Sequence, residues 1–296
     1  VTNTVLNNVT LTGSVGAGLT VNGSTVTANS LTTTDNAWGG VNVDQGSNVT
    51  DTTTFTFDAT STFGEEAPVY SDAGNVTVNA PEGWACVQVE GKYVWSNLFA
   101  GGDGTTDNPY LISNNEQYAN IAYVATKNLS FKLTTDITLA STEGMLKQFI
   151  GTFDGDNHTI TLPDKAADSE NWCAFAELMT GTLKNLVINH GTDGVTPFIG
   201  YSYGDSMTFE NVDICTPSSE TVCLTSSDDN NESAYMAHNQ AASLTFKDCN
   251  SYLSYYYPGG ANMYTSAFMG GYTTLENGST ITFNNCWNYG DLTMSH

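Results

Sequence analysis

Apolar and polar residues alternate in short runs through the first eighty positions, with turn-forming residues between the runs. VTL (9–11), LTV (19–21), TVT (25–27), VNV (41–43), FTF (55–57), PVY (68–70) and VTV (76–78) each read as a short strand with one face turned inward, and a weaker strand falls near Leu31. A larger period overlies this one. GLTVNGS (18–24), GVNVDQGS (40–47) and PVYSDAGN (68–75) look like one corner repeated after 22 and then 28 residues. Coils of that length with about three short strands each are the mark of a β-solenoid, because no coil buries its own apolar face and coils must stack. PEGWACVQVEGKYVWSNL (81–98) departs from the pattern and predicts a hairpin turning at Glu90–Gly91 that closes the first stack, since a bare sheet edge invites aggregation.

A polar, Gly-rich junction (101–113) leads into a predicted helix over about 114–127. Ser113 and Glu116 have capping-box spacing. Tyr118, Ile121, Ala122 and Ala125 form one apolar stripe, Lys127 suits the C-terminal end, and Asn128 suits the left-handed position after it. Such a helix would plug the open end of a second stack.

The second half repeats more clearly. GTLKNLVI (181–188), MTFENVDI (207–214), LTFKDCNSY (244–252) and ITFNNCWNY (281–289) align without gaps, their Thr residues 26, 37 and 37 positions apart. GTFDGDNHTITL (151–162) begins in a similar way. Leu183, Phe209, Phe246 and Phe283 then share one inward column, and Leu186, Val212, Cys249 and Cys286 another. Asn185, Asn211, Asp248 and Asn285 lie between them, at a bend where Asn tolerates left-handed backbone and its amide bonds to the next coil. Cys249 and Cys286 are expected as neighbouring buried thiols, whereas Cys215 and Cys223 are the better disulfide candidate. No Cys stands in a C-x-x-C pair, so a zinc site is not expected.

Composition changes the picture in two ways. Charged residues are only 13% of the 296, with Thr, Asn, Ser and Gly filling the polar positions, which favours strands and turns over surface helices. The balance is acidic: 31 Asp and Glu against 7 Lys and no Arg, a net charge of -24. Nucleic acid and anionic membrane surfaces are therefore poor partners, and no run is long and apolar enough to span a membrane. The chain starts at Val1 without a signal peptide and stops at His296 directly after a coil, which reads as a processed or trimmed fragment.

GGDGTTDNPYLISNNEQYANIAYV, FKLTTDITL and FIGTFDGDNHTITL resemble the start of pectin-lyase-like β-helix domains of bacterial surface proteins. FENV, FKDC and FNNCWNYG resemble the Gly- and Asn-rich GLUG repeats of the same proteins, and residues 18–47 are similar to their other β-helix modules. The resemblance covers most of the chain and implies a secreted or wall-attached, adhesin-like protein with no catalytic residues to carry over. The expected fold is all-β: a right-handed parallel β-helix in two consecutive segments, 1–100 with its closing hairpin and 101–296 with its capping helix.

Candidate chemistry is sparse. The carbohydrate lyases and esterases on this scaffold use basic residues, and Arg is missing. Glycosidases need paired carboxylates. Asp228, Asp229 and Glu232 form the densest acidic cluster, and Asp154 and Asp156 stand beside His158, though Asp-Gly turns need Asp for backbone hydrogen bonds alone. No motif assigns a catalytic residue or a cofactor; calcium among clustered Asp residues is the one ion to consider. The suggestive surface is aromatic: Tyr252, Tyr255, Tyr256, Tyr257 and Tyr264, with Trp287 one coil later, are candidate ligand contacts, against the plainer reading of core and loop packing. Alternation would put Tyr256 on the side opposite Tyr255 and Tyr257. The expected function is non-catalytic binding of glycans or of host or neighbouring-cell proteins outside the cell. The alternatives are a polysaccharide-active enzyme and a passive stalk.

Overall fold

The computed structural model describes residues 3–140, 146–163, 173–191, 196–216, 222–223, 233–257, 266–272 and 279–294. Its fold is all-β with predominantly parallel sheets, and the chain divides into two compact units, Val1–Asp103 and Gly104–His296.

In the first unit the chain visits three sheets in a fixed order. β1 (Asn3–Asn7), β2 (Thr10–Thr12) and β3 (Ala17–Asn22) are followed by β4 (Thr25–Asn29), β5 (Thr32–Thr34) and β6 (Gly39–Asp44), then by β7 (Thr54–Phe57), β8 (Thr62–Phe63) and β9 (Val69–Ser71). β1, β4 and β7 share one sheet, β2, β5 and β8 a second, and β3, β6 and β9 a third, each neighbouring pair parallel. In-register pairing places like on like: Val26 on Phe55, Leu19 on Val41 and Val69, Val21 on Val43. All but Leu19, which packs against them half-buried, belong to the unit's buried core. β10 (Thr77–Asn79) extends the first sheet.

β11 (Trp84–Val89) and β12 (Lys92–Asn97) form the expected hairpin. Its turn at Glu90 and Gly91 has φ of 49° and 84°, the left-handed pair that a two-residue hairpin loop requires. β12 pairs antiparallel with β9, so the hairpin finishes the third sheet. The Trp84 ring meets Phe57 and Phe63 edge-on at 4.8 and 5.6 Å, laying aromatic area over the core.

In the second unit one column runs in parallel register through seven strands: Tyr110, Phe131, Phe153, Leu183, Phe209, Phe246 and Phe283. Phe209 and Phe246 stack at 4.8 Å and 4°, Phe246 and Phe283 at 5.0 Å and 4°, which is the spacing of hydrogen-bonded strands. A second column carries Ile137, Ile160, Ile188 and Ile214. Asn185, Asn211, Asp248 and Asn285 all take left-handed φ, between 50° and 54°. Their side chains bond along the stack: Asn185 donates to Asp154 (3.0 Å), Asn211 to Asn185 (3.1 Å) and Asn285 to Asp248 (2.7 Å). Gly151 and Gly181 pair where φ is 136° and 118°, and a Cβ on Gly181 would lie 2.0 Å from the Gly151 carbonyl oxygen. Cys249 is buried as expected, and burial pushes its thiol up to about 12, whereas Cys286 in the last coil is only partly buried.

Three expectations need correction. The α-helix spans only Asn115–Asn120, and Ile121–Tyr123 continue as a 3-10 turn. Three residues per turn then bury Ile121 and Val124, with Ala125, and leave Ala122 exposed. The cap shifts by one residue: the Asn114 side chain accepts from the Gln117 backbone N–H, and the Gln117 side chain accepts from the Ser113 N–H and hydroxyl. Asn128 does take the left-handed position, at φ 54°. Cys215 is a thiol rather than half of a disulfide, its Sγ donating to Asn189 Oδ1 at 2.7 Å.

Phe246 has a ring on each side, whereas Phe283 is 52% exposed. Phe246→Ala should therefore cost about 3–5 kcal/mol in the unfolding transition of the second unit, and Phe283→Ala clearly less, as denaturant titration will measure.

Candidate functional site

Strands spend every second side chain on solvent, so a surface site must be built from the outward residues of adjacent parallel strands. Parallel register holds Asp213, Asn250 and Trp287 in one row, and Ile214, Ser251 and Asn288 in the next. Tyr252 and Tyr289 follow directly, their N–H groups donating to the Ile214 and Ser251 carbonyls. Their rings stack at 5.0 Å and 9°, with 46% and 61% exposure. Trp287, two residues before Tyr289, is 58% exposed and donates from Nε1 to Asn285 Oδ1 (3.4 Å). Asn250, in register beside Trp287, donates to Asp213 (2.8 Å). Partial burial and the nearby Asp213 raise the Tyr252 phenol above its ordinary range.

Thus Tyr252 and Trp287 come together with Tyr289, which is not among the candidate contacts named from the sequence. Tyr255 points inward and is buried, while Tyr256 is exposed on a separate sheet, in register with Thr293. Tyr257 lies in the same strand, but its side chain is outside the described residues, as are Tyr264, Asp228, Asp229 and Glu232. Tyr201 stacks on His238 at 4.6 Å, and Tyr203 bonds Gln148.

The acidic turn at 154–158 is taken up by structural partners. Asp154 pairs with Lys184 (3.1 Å) and Asp156 with Lys132 (3.0 Å), while His158 meets Asp136 at 3.1 Å. Burial raises the Asp154 carboxyl, but the Asn185 amide, the Asp156 N–H and Lys184 outweigh it and hold it below the usual range. A glycosidase acid needs the opposite shift. Among the described residues no group of three or more His, Cys, Asp or Glu is placed to hold a metal ion.

A second aromatic surface, in the first unit, escaped the sequence reading. Trp38 is 68% exposed and borders two hollows, of ≈ 950 and ≈ 380 Å³. The larger lies over the outward face of β3, β6 and β9, where Thr20, Asn42 and Asp44 alternate with buried valines. Its floor is Tyr70, 2% exposed, with the Lys92 ammonium 5.0 Å above the ring. The only signal in the chain was a Trp within a turn, DNAWGG (35–40), beside a repeated corner.

No family model and no curated protein matches this chain. A solved structure described as a "putative immunoglobulin A1 protease" from Bacteroides ovatus is similar at 15% identity and a TM-score of 0.37, over 67% of this chain and 80% of that one. Likeness at that level carries no argument about activity. No helix among the described residues is long and apolar enough to cross a membrane.

His190 supplies a pH test of the fold around these strands. It is buried, and burial lowers its pKa from 6.5 to about 4 against an opposing hydrogen bond to the Ala234 backbone. The unfolded chain therefore takes up a proton that the folded one refuses. Stability should be full above pH 6.5 and fall by about 3 kcal/mol as pH drops to 4, and His190→Gln should flatten that window in denaturation midpoints.

Proposed function

We propose that this chain is a right-handed parallel β-helix in two consecutive segments, part of a secreted or wall-attached bacterial surface protein. It acts without catalysis, as an adhesin-like module that binds glycans or proteins of host or neighbouring cells. The fixed cycle of strands through three sheets in the first unit supports the architecture, as does the seven-strand column in the second. The segments resembling pectin-lyase-like and GLUG-repeat surface proteins coincide with those strands.

One observation carries the binding role: the Tyr252 and Tyr289 rings, each directly after a short paired strand, stack on each other and keep 46% and 61% exposure, with Trp287 two residues from Tyr289. Rings held against each other, with their backbone N–H groups bonded to the previous coil, have already lost part of their conformational freedom, so contact costs less further entropy. Stacked rings cover each other's faces and present edges and hydroxyls. That geometry suits hydrogen-bonded contact with a protein surface or with sugar hydroxyls.

Immobilised chain tested against a glycan array and against matrix proteins should capture a partner. Tyr252→Ala with Tyr289→Ala should weaken partners held at this ladder by roughly tenfold or more, with the unfolding transition little changed. Silence toward every glycan and protein would leave a stalk. Product release from polysaccharides would make the chain an enzyme.

A further inference from the structure

We propose that the groove beside Trp38, in the first unit, is a binding site for neutral oligosaccharides. This rests on the surface-binding reading above and names a ligand class and a second place for it.

The first ground is the way Trp38 is held. The side chain of Asn36, buried to 6% exposure, accepts from the Ser14 N–H (3.0 Å) and donates to the Leu11 carbonyl (3.1 Å) and Glu65 Oε1 (2.6 Å). Glu65 also accepts from the buried Thr33 hydroxyl at 2.6 Å. The Ala37 and Trp38 N–H groups donate to the Ser14 and Gly16 carbonyls. The turn is thus fastened to the strand cycle before it and the one after it. Trp38 lies against Gly16, where a Cβ would come 3.7 Å from its Cε3, and leaves 68% of its surface to solvent. A large ring fixed in that posture contributes little to the core and is preorganised as a platform.

The second ground is the chemistry of the hollow. Asp44, Glu66, Asp72 and Glu90 line it against one cation, Lys92. Carboxylates only accept hydrogen bonds, so the fitting ligand is rich in donors and carries no negative charge. Hydroxyls on a sugar ring lying against Trp38 meet that requirement. Lys92, over Tyr70 and 3.9 Å from Asp72, already supplies a cation to the hollow, so the ligand need not bring one. The hollow of ≈ 950 Å³ has room for more than one sugar unit. Uronic and sialic acids would face the four carboxylates and be repelled.

The test uses the whole 296-residue chain on an array of neutral, amino and acidic glycans, followed by calorimetric titration of the best neutral oligosaccharide. Trp38→Ala should weaken that ligand by roughly tenfold or more, and Trp38→Phe should retain part of the affinity. Both variants should unfold at the same midpoint as the parent, since the ring is exposed. Tyr252→Ala and Tyr289→Ala should leave this ligand untouched. Binding that survives Trp38→Ala and falls with the tyrosine variants would overturn the groove while sparing the surface-binding reading. Selective capture of acidic glycans or of cationic peptides would also overturn it. No glycan bound anywhere on the array would sink the groove, leaving the protein-partner reading to the matrix-protein assay.

Discussion

The in-register parallel ladder is the constraint on which the rest of this structure depends. A strand in a parallel ladder bonds the equivalent strand of the next cycle about 4.8 Å away, so in-register side chains meet their own counterparts. A column must then hold residues that tolerate themselves. Flat rings do so by stacking, as Phe209, Phe246 and Phe283 do. Asn does so because an amide both donates and accepts, which allows Asn211 to bond Asn185 while Asn185 bonds Asp154. An Asp in such a column receives from the following cycle, as Asp248 does from Asn285, and has no amide to pass on.

The same constraint governs the surface. A charge placed in an outward column meets a like charge one strand away unless the neighbour is changed. The chain answers with few charges and with cross-cycle pairs: Lys184 with Asp154, Lys132 with Asp156, Lys247 with Glu210. These ion pairs are partly exposed and contribute little individually. Their main consequence is that the acidic turn at 154–158 is occupied with holding cycles together. Aromatic rings, by contrast, stack outward as readily as inward, and Tyr252 with Tyr289 is the outward form of the phenylalanine column.

The two aromatic surfaces differ in what they offer a partner. The tyrosine ladder uses one ring to cover the face of another, so hydroxyls and edges remain. Trp38 stands alone on a turn and presents broad apolar area beside a carboxylate-lined hollow. The first follows from stacking; the second is held where Asn36 and Glu65 fasten the turn.

Columns were legible in the residues because like stacks on like: the gapless alignment of Leu183, Phe209, Phe246 and Phe283 is the register itself, and Asn at the bend is the residue type that left-handed backbone admits. The hairpin at Glu90–Gly91 was legible for the same local reason. What depends on distant partners was not. The helix stripe switched to a three-residue period after Asn120, and the Cys215 thiol turned to Asn189, 26 positions away. Trp38 in a turn reads alike whether packed or exposed; its posture is set by Glu65, 29 positions from Asn36. Local pattern determines strand, turn and column because those energies act between neighbours or repeats. Which aromatic faces water is decided only when the cycles stack, since exposure is a property of the assembled surface.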